Sequence, residues 1–559
     1  MRKRIAKEER KGRVTDITRL PRITLTDRQR FDLEQILCGG FAPLKGFLNE
    51  KDYISVVERM RLSDGTLWPI PIVLDVPEVE GRKIGDRFIL CDVFGNPISF
   101  FTIESIYSPD KKKEARMVYG TEDRTHPGVQ YLMAETGKVY LGGPVELIKY
   151  APTHDFSELR RRPEELKQVF KERGWKKVVA FQTRNPMHRA HFELVRRAAE
   201  MHGAKALVQP VVGLTKEGDI DYISRVRSYK RLVENRMSDF AMLSLLPIAM
   251  RMAGPREAIW HAIIRKNYGA THFIVGRDHA GPGKDASGKP FYEPYAAQEL
   301  AKKHEQDTGI VIVPMKEYAY VESEDAYLSA DELKPGQVTK NISGTEFRKM
   351  LRDEEKIPEW FSFPEVVDEL RIAVRKEKRR GGTIFFTGLS GAGKSTIAHV
   401  LYHKLLERQE RSVTLLDGDV VRQNLSRGLG FSREDRNANI ERIGFVAGEI
   451  SKHGGIAICA AIAPYREPRD NNRRRIEKVG QYIEVYVKAP LEVCELRDTK
   501  GLYAKARAGL LPHFTGIDDP YETPEHPELV LDTTALSAEE SAEKVYDLLC
   551  ERGLIDLQV

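Results

Sequence analysis

The sequence predicts a multidomain α/β protein, with a β-rich first part followed by two α/β regions that each carry a parallel sheet. Three observations lead there. The chain has 559 residues, too many for one core, and about three or four domains are expected of that length. Its first 165 residues or so read as short strands and turns, whereas strand-like and helical runs alternate twice thereafter. Such alternation implies a parallel sheet covered on both faces. A charged stretch, Glu365 to Lys378, ending in Arg379-Arg380-Gly381-Gly382, separates the two alternating regions and is the best inter-domain boundary.

In chain order, Met1-Arg-Lys-Arg-Ile-Ala-Lys is basic but has no apolar stretch behind it, which argues against a secretory signal. Residues 70–76 and 87–93 are β-rich, and Phe94-Gly-Asn-Pro supplies turn chemistry after the second run. Apolar residues at helical spacing run from Asp155 to Arg173. Residues 177–182, 206–212, 271–276 and 310–314 then read as strands of one sheet, and 383–387, 412–417, 456–462 and 482–487 as strands of another. The expected divisions are 1–165, 166–345, a small helical connection at 346–380, and 381–559.

Composition narrows the function classes. A chain with 41% hydrophobic and 31% charged residues fits a soluble globular enzyme. A net charge of +6 over this length does not demand nucleic acid and suits small anionic substrates. No run approaches the roughly 18 apolar residues of a membrane span. The five cysteines lie far apart without CxxC spacing, so neither a structural zinc site nor a disulfide framework is expected, and a reducing cytoplasm is the default location.

Residues 388–395, Gly388-Leu389-Ser390-Gly391-Ala392-Gly393-Lys394-Ser395, form a complete phosphate-binding loop followed by Thr396. A strand before it and a helix after it are the context in which this pattern is informative. The glycines let backbone N–H groups close round phosphate oxygens, Lys394 meets the β- and γ-phosphates, and Ser395 ligates Mg²⁺. The next strand ends in Asp417-Gly-Asp419, where substrates bind in such sheets. Asp419 could hold Mg²⁺ through water or take a hydroxyl proton, and alone it could equally be a turn former. Arg422, Arg436 and Asn439 follow at spacings suited to a second anion and a base edge.

These motifs, with Gly430-Phe-Ser-Arg-Glu-Asp-Arg436, Lys500-Gly-Leu-Tyr-Ala-Lys-Ala-Arg507 and Phe514-Thr-Gly-Ile-Asp-Asp-Pro-Tyr-Glu522, resemble adenylylsulfate (APS) kinase over roughly residues 380–555. The resemblance implies a P-loop kinase fold that phosphorylates the 3′-hydroxyl of APS to give 3′-phospho-APS (PAPS). It implies that residues 388–396 bind ATP, that Phe431 and Phe514 clamp adenine, that Arg422, Arg436 and Asn439 hold APS, and that 498–511 form a basic lid. Ile462, Ala463 and Lys500 fall in the APS site on the same grounds. Family members commonly have serine where this chain has Ala463, so no phosphoserine can form there; direct in-line transfer needs none.

In the middle of the chain, Gln182-Thr183-Arg184-Asn185 follows a buried strand-like run, and Pro186-Met-His188-Arg-Ala-His191 opens a helix. The histidines lack the carboxylate and spacing of an HExxH zinc site. Beside Arg184 and a helix N-terminus they suit phosphate, as donors that neutralise charge on the α-phosphorus and the departing pyrophosphate. Gly276-Arg277-Asp278-His279-Ala280-Gly281 ends the third strand of this sheet; alone it could be a simple turn. Together with Gly39-Gly-Phe-Ala-Pro-Leu-Lys-Gly-Phe-Leu48, Asn341-Ile-Ser-Gly-Thr-Glu-Phe-Arg348 and Ile357-Pro-Glu-Trp-Phe-Ser, these motifs resemble ATP sulfurylase over about residues 20–370. The resemblance implies a PUA-like first domain and a nucleotidyltransferase-type, Rossmann-like second domain. Gln182, Arg184 and Ala280 would bind sulfate. Gln182 to Asn185, Gly276 to His279 and Ala319 would bind ATP. Thr183, Arg184 and Asn185 would be catalytic, with His188 and His191 stabilising the transition state.

The whole chain thus resembles a bifunctional sulfurylase–kinase with the sulfurylase first, the reverse of the order in animal PAPS synthetases. Fungal sulfurylases share this order, but their tail lacks a working phosphate loop and serves regulation. Expected partners are ATP, sulfate, APS, PAPS and pyrophosphate, with Mg²⁺ accompanying ATP, and a homo-oligomer is expected from the resemblance. Nucleic acid and membrane are not expected: basic runs such as Lys111-Lys-Lys have no aromatic-rich RNA motif beside them. A regulatory PAPS-binding tail and a sulfurylase that runs toward ATP remain the alternative readings.

Overall fold

The computed structural model describes residues 20–79, 81–213, 222–374, 381–408, 411–498 and 500–555. The basic N-terminal heptad and residues 375–380 of the charged boundary lie outside that set. The chain separates into two compact units, residues 1–152 with 158–368, and residues 153–157 with 369–559.

The first unit begins with a seven-stranded sheet. Its hub, Val139–Leu147, pairs antiparallel with Gly46–Phe47, Leu74–Val76, Pro97–Thr102 and Ser105–Tyr107. So many partners crowd one strand that it needs glycine: a Cβ on Gly143 would lie 2.0 Å from Thr102 O, and one on Gly142 2.4 Å from Leu48 O. Arg87–Cys91 is a strand, and the turn after it leads into Pro97–Thr102, with which it pairs antiparallel as a hairpin. Its turn is closed by Asp92 Oδ1, which accepts the N–H groups of Phe94 and Asn96. Of residues 70–76 only Leu74–Val76 joins the sheet; Ile70 and Ile72 are buried without laddering, and Pro71 has no N–H to give. The part is less purely β than the sequence suggests, for Asp27–Cys38, Glu50–Arg59 and Pro127–Ala134 are helical. A capping box at Thr26 and Gln29 marks the first of these.

Behind this sheet lies a parallel one in the order Ala241–Leu243, Lys205–Val208, Val178–Phe181, His272–Val275, Val311–Pro314. Val178–Phe181 and His272–Val275 are wholly buried, as a sheet covered on both faces requires. The helix expected over 155–173 starts at Pro163 and ends at Glu172, because proline suits the first helical position and Ser157–Leu159 makes only a 3₁₀ turn. Helix Arg189–His202 follows the central strand, and Gly254–Asn267 precedes His272–Val275. A small antiparallel sheet, Tyr318–Val321 with Ala326–Ser329 and Thr339–Lys340, comes after the last parallel strand. One apolar core serves both large sheets: Phe41 packs on Trp68 and on Trp260, with ring centroids 5.8 and 5.2 Å apart.

At the end of the short helix Lys111–Glu114, Glu114 is 4% exposed and accepts a 2.8 Å hydrogen bond from Tyr53 OH. Burial pushes its carboxyl up from 4.5 to about 7. The folded chain therefore holds a proton that the unfolded chain releases between those values. The resulting stability is present below pH 4.5 and lost as pH rises through about 7. Glu114→Gln removes the ionisation. In urea unfolding, its stability relative to the parent is expected to be about 3 kcal/mol more favourable at pH 8 than at pH 4. An equal difference at both pH values would contradict this account.

The second unit is a five-stranded parallel sheet in the order Val413–Asp417, Ile456–Ala460, Gly382–Thr387, Gln481–Lys488, Leu529–Asp532. The central strand is buried throughout. Helices Lys394–Arg408 and Arg433–Lys452 cover the sheet, and Ala538–Glu551, with a capping box at Ser537 and Glu540, packs with the first of them. Two of the observed parallel strands, Ala241–Leu243 and Leu529–Asp532, are not among those expected from the sequence.

Candidate active sites

In the first unit, the two central strands deliver their loops to the same edge of the sheet. Gln182 and Thr183 follow Val178–Phe181 and are buried. Thr183 Oγ1 accepts the Asn185 N–H and donates to Asn185 O, both at 3.0 Å, which curls the loop on itself. Two more donors clamp it from outside: Arg225 Nη1 reaches Arg184 O at 2.9 Å and Tyr229 OH reaches Asn185 O at 2.6 Å. Arg184 then extends to the second motif, donating from Nη2 to Gly281 O at 3.2 Å and from Nη1 to Met252 Sδ at 3.6 Å. Gln182 Nε2 lies 3.8 Å from Met250 Sδ, and its buried Oε1 has no protein partner among the described residues.

His188 caps the helix that His191 enters, and its backbone N–H donates to His191 Nδ1 at 3.3 Å. The His191 proton therefore sits on Nε2. His188 Nδ1 pairs with Ser362 Oγ at 2.9 Å, its ring stacked on Phe361 and edge-on to Phe347, with centroids 4.6 and 4.8 Å away. Burial pushes His188 down to about 3, with His191 adding repulsion, and His191 to about 4. Burial thus favours the neutral form of both rings near pH 7. In this state Arg184 carries the positive charge and the histidines can act only as neutral hydrogen-bonding groups.

The second motif turns immediately after His272–Val275. Ala280 adopts φ +54°, a left-handed conformation that reverses the chain, and Ala280 O accepts the Gly254 N–H at 3.3 Å. Arg277 and Asp278 are exposed, with Arg277 Nη1 3.0 Å from Glu317 Oε2. Gly276 is half-buried, and a side chain there would meet nothing within 4 Å. Ala319, two residues beyond Glu317, sits on Tyr318–Val321 opposite Leu328.

In the second unit the phosphate loop joins Gly382–Thr387 to Lys394–Arg408. Gly388, Gly391 and Gly393 have φ of +149°, +74° and +103°, conformations that side chains resist. Its carbonyls are held from outside: Tyr503 OH donates to Ser390 O, Thr533 Oγ1 to Ala392 O and Arg497 Nη1 to Gly391 O. Lys394 Nζ donates to Gly388 O at 2.9 Å and Leu389 O at 2.7 Å, and burial lowers its pKa to about 8. Thr396 is exposed. Ser395 Oγ donates to Asp417 Oδ2 at 2.6 Å, whereas Asp419 pairs with Lys500.

Arg422 lies over the exposed Phe431 ring, 4.5 Å from its centroid. Arg436 ties the two aromatic segments together: its Nε donates to Phe431 O, and its guanidinium to His513 O and Thr515 Oγ1, with Asp519 3.1 Å away. Phe514 is buried and edge-on to Tyr503. Asn439 is buried, and its Oδ1 has no protein partner among the described residues. Ile462 O and Ala463 O accept from Thr387 Oγ1, at 2.7 and 3.4 Å. Ala463 has φ +45°, and Arg469 holds its carbonyl at 2.5 Å.

Known proteins resemble this chain over most of its length. Residues 1–150 match a PUA-like domain, 157–373 the ATP-sulfurylase family and 380–532 the adenylylsulphate kinase family. A curated sulfate adenylyltransferase of Phaeosphaeria nodorum is 50% identical over 96% of this chain and 94% of its own length. The chain belongs to the sulfate adenylyltransferase family. The sulfate adenylyltransferase of Gibberella zeae is 50% identical as well, over 96% and 95%. A solved structure described as a hexameric APS kinase from Thiobacillus denitrificans matches 98% of this chain and 97% of its own, at 34% identity and a TM-score of 0.57. The chain therefore joins a PUA-like domain, an ATP-sulfurylase domain and a C-terminal APS kinase domain in one enzyme of sulfate activation.

Several residues that shape the two sites carry little signal in the sequence. Asp417, rather than Asp419, touches Ser395; its place as the last residue of a strand is the available clue. Met250 and Met252, at Gln182 and Arg184, come from a segment with no motif of its own, whereas Ser362, at His188, ends the Ile357–Ser362 run without having been assigned a role.

Proposed function

We propose that the enzyme makes APS and pyrophosphate from ATP and sulfate in its first unit, and PAPS and ADP from APS and ATP in its second. The observation that carries this reading is the coexistence of two differently built nucleotide sites. In one, Arg184 spans two loops at a sheet edge; in the other, a complete phosphate loop aims Lys394 and Ser395 from a helix N-terminus.

For the first reaction, a sulfate oxygen attacks the α-phosphorus in line, an S–O–P bridge forms, and the bond to pyrophosphate breaks. No covalent enzyme intermediate is needed. Holding two anions together against their repulsion is the main task, and Arg184 supplies the charge. Turning the Gln182 amide over exchanges its orphan oxygen for an N–H donor toward the same space, a suitable contact for sulfate. His191, with its proton on Nε2, can donate to phosphate without being charged.

For the second reaction, the 3′-oxygen of APS attacks the γ-phosphorus as ADP leaves. Asp419 accepts the hydroxyl proton once its contact with Lys500 opens. The hydroxyl of Ser395 against the carboxylate of Asp417 is a pair of oxygen donors that fits Mg²⁺, with Asp419 near enough in sequence to assist through water. Mg²⁺ would neutralise charge on the nucleotide phosphates. A homo-oligomer is the proposed assembly, in line with the hexameric relative.

A regulatory tail is the second reading, favoured by Ala463 and by full-length relatives named only as sulfate adenylyltransferase. Incubation with ATP, Mg²⁺, radiolabelled sulfate and pyrophosphatase separates the readings. Labelled PAPS is the expected product. APS without PAPS would leave the tail regulatory. No labelled nucleotide, together with ATP formation from APS and pyrophosphate, would assign the enzyme to the reverse direction.

A further inference from the structure

Helix Gly254–Asn267 is buried along nearly its whole length, and two of its buried residues are titratable groups facing the first site. Glu257 and His261 are both fully buried, and neither belongs to the motifs that suggest adenylyl transfer. The Glu257 carboxylate accepts two backbone N–H groups at 2.9 Å, Arg251 on Oε1 and Ala253 on Oε2. It thereby pins the segment that places Met250 against Gln182 and Met252 against Arg184. On its other side, Glu257 Oε1 lies 3.4 Å from His261 Nε2, an electrostatic contact too poorly aligned for a hydrogen bond. His261 Nδ1 is 3.0 Å from His279 Nε2, inside the Gly276–Gly281 turn.

We propose that Glu257 and His261 are positioning residues that set both halves of the adenylyl-transfer site from one buried carboxylate. The inference rests on the reading of these loops as that site. Its logic is one of hydrogen-bond polarity. The carboxylate favours a proton on His261 Nε2, which leaves Nδ1 of the neutral ring as an acceptor. His279 must then donate through Nε2–H, and its own Nδ1 is left bare. The Gly254 N–H to Ala280 O bond links the same two segments a second time. Arg251 and Arg265 are the other charged groups buried around these rings. Burial is the main force holding both rings below the usual histidine range; Glu257 opposes it at His261, Arg265 and Arg251 reinforce it there, and His261 and Arg265 reinforce it at His279, so the neutral tautomers persist.

The full-length enzyme, labelled with ¹⁵N in its histidine rings, tests the polarity directly. Long-range proton–nitrogen spectra at pH 7 are expected to show His261 and His279 neutral and protonated on Nε2. Signals for a neutral His279 protonated on Nδ1 would overturn the proposal, with or without activity. Kinetics of sulfate-dependent ATP–pyrophosphate exchange supply the second arm. His261→Phe keeps a ring and is expected to raise the KM for ATP about tenfold and leave the KM for sulfate within about twofold. Glu257→Gln is expected to raise both constants and lower kcat, because the carboxylate braces both loops. Folded variants with parental constants would overturn the proposal. Absence of exchange in the parent enzyme would instead overturn the adenylyl-transfer reading, and the ring spectra would still judge the tautomers.

Discussion

Lys394→Met is expected to abolish PAPS formation and leave APS formation untouched. Lys394 is the buried cation of the phosphate loop, its Nζ held on Gly388 O and Leu389 O. In the proposed reaction that ammonium swings to the transferring phosphate, where charge develops in a site shielded from water. Loss of one such donor costs about 10²–10³ in rate, and loss of a full charge with it places the expected fall at about a thousandfold or more. Methionine keeps the length and apolar stem of lysine, so the packing around the side chain survives. Stability should not suffer either. Burial lowers the lysine to about 8, so the folded chain binds this proton less tightly than the unfolded one and is penalised for the buried cation at every pH below 8. Removal of the charge lifts that penalty. Kinase assays with supplied APS, run beside sulfate-dependent ATP–pyrophosphate exchange, give the two rates on one protein. PAPS formation within tenfold of the parent would refute a catalytic role for this loop and favour the regulatory tail. Loss of both activities would point to misfolding, which the unfolding midpoint would reveal.

Much of this architecture is legible in the sequence, and the exceptions have physical causes. Val178–Phe181 and Gly382–Thr387 are buried on both faces, so continuous hydrophobic runs betray them. Ala241–Leu243 is only three residues long, too short for any periodicity to register. The helices of the first sheet domain are overlooked for a different reason: Asp27–Cys38 buries Gln29, Asp32 and Gln35 with its apolar residues, and that blurs the amphipathic stripe. The phosphate loop and the Arg184 loop are readable because each gathers its candidate residues in one contiguous run. Glu257 is not, since a glutamate in a helix ordinarily faces water. Its inward position follows only from a helix whose Glu257–Arg265 stretch is buried at every residue in the two sheets' common core. The charge state of His188 is equally hidden, because Phe347, Phe361 and Ser362 that surround it lie more than a hundred and fifty residues away.

Arg184→Ala should produce the mirror image of the lysine variant, with APS formation lost and the kinase intact. Arg184 hydrogen-bonds across from the first loop to the second, through Gly281 O, and it brings the charge that the neutral histidines lack. In the proposed reaction two anions meet at this point, so its removal would weaken sulfate binding, α-phosphate orientation and the transition state together. A fall of about a thousandfold in sulfate-dependent exchange is expected, the size of a lost charge-assisted contact at a reacting centre. Arg184→Lys restores charge but not the planar fork that reaches Gly281 and an anion at once, and should recover only part of the rate. The reverse reaction sharpens the test. An enzyme cannot move an equilibrium, so ATP formation from APS and pyrophosphate must fall by the same factor when substrates are dilute. Unequal falls at saturating substrate would mean that binding or release of one substrate pair had changed as well as the adenylyl-transfer step. PAPS formation from supplied APS, unchanged in this variant, would complete the separation of the two reactions by single residues in each unit.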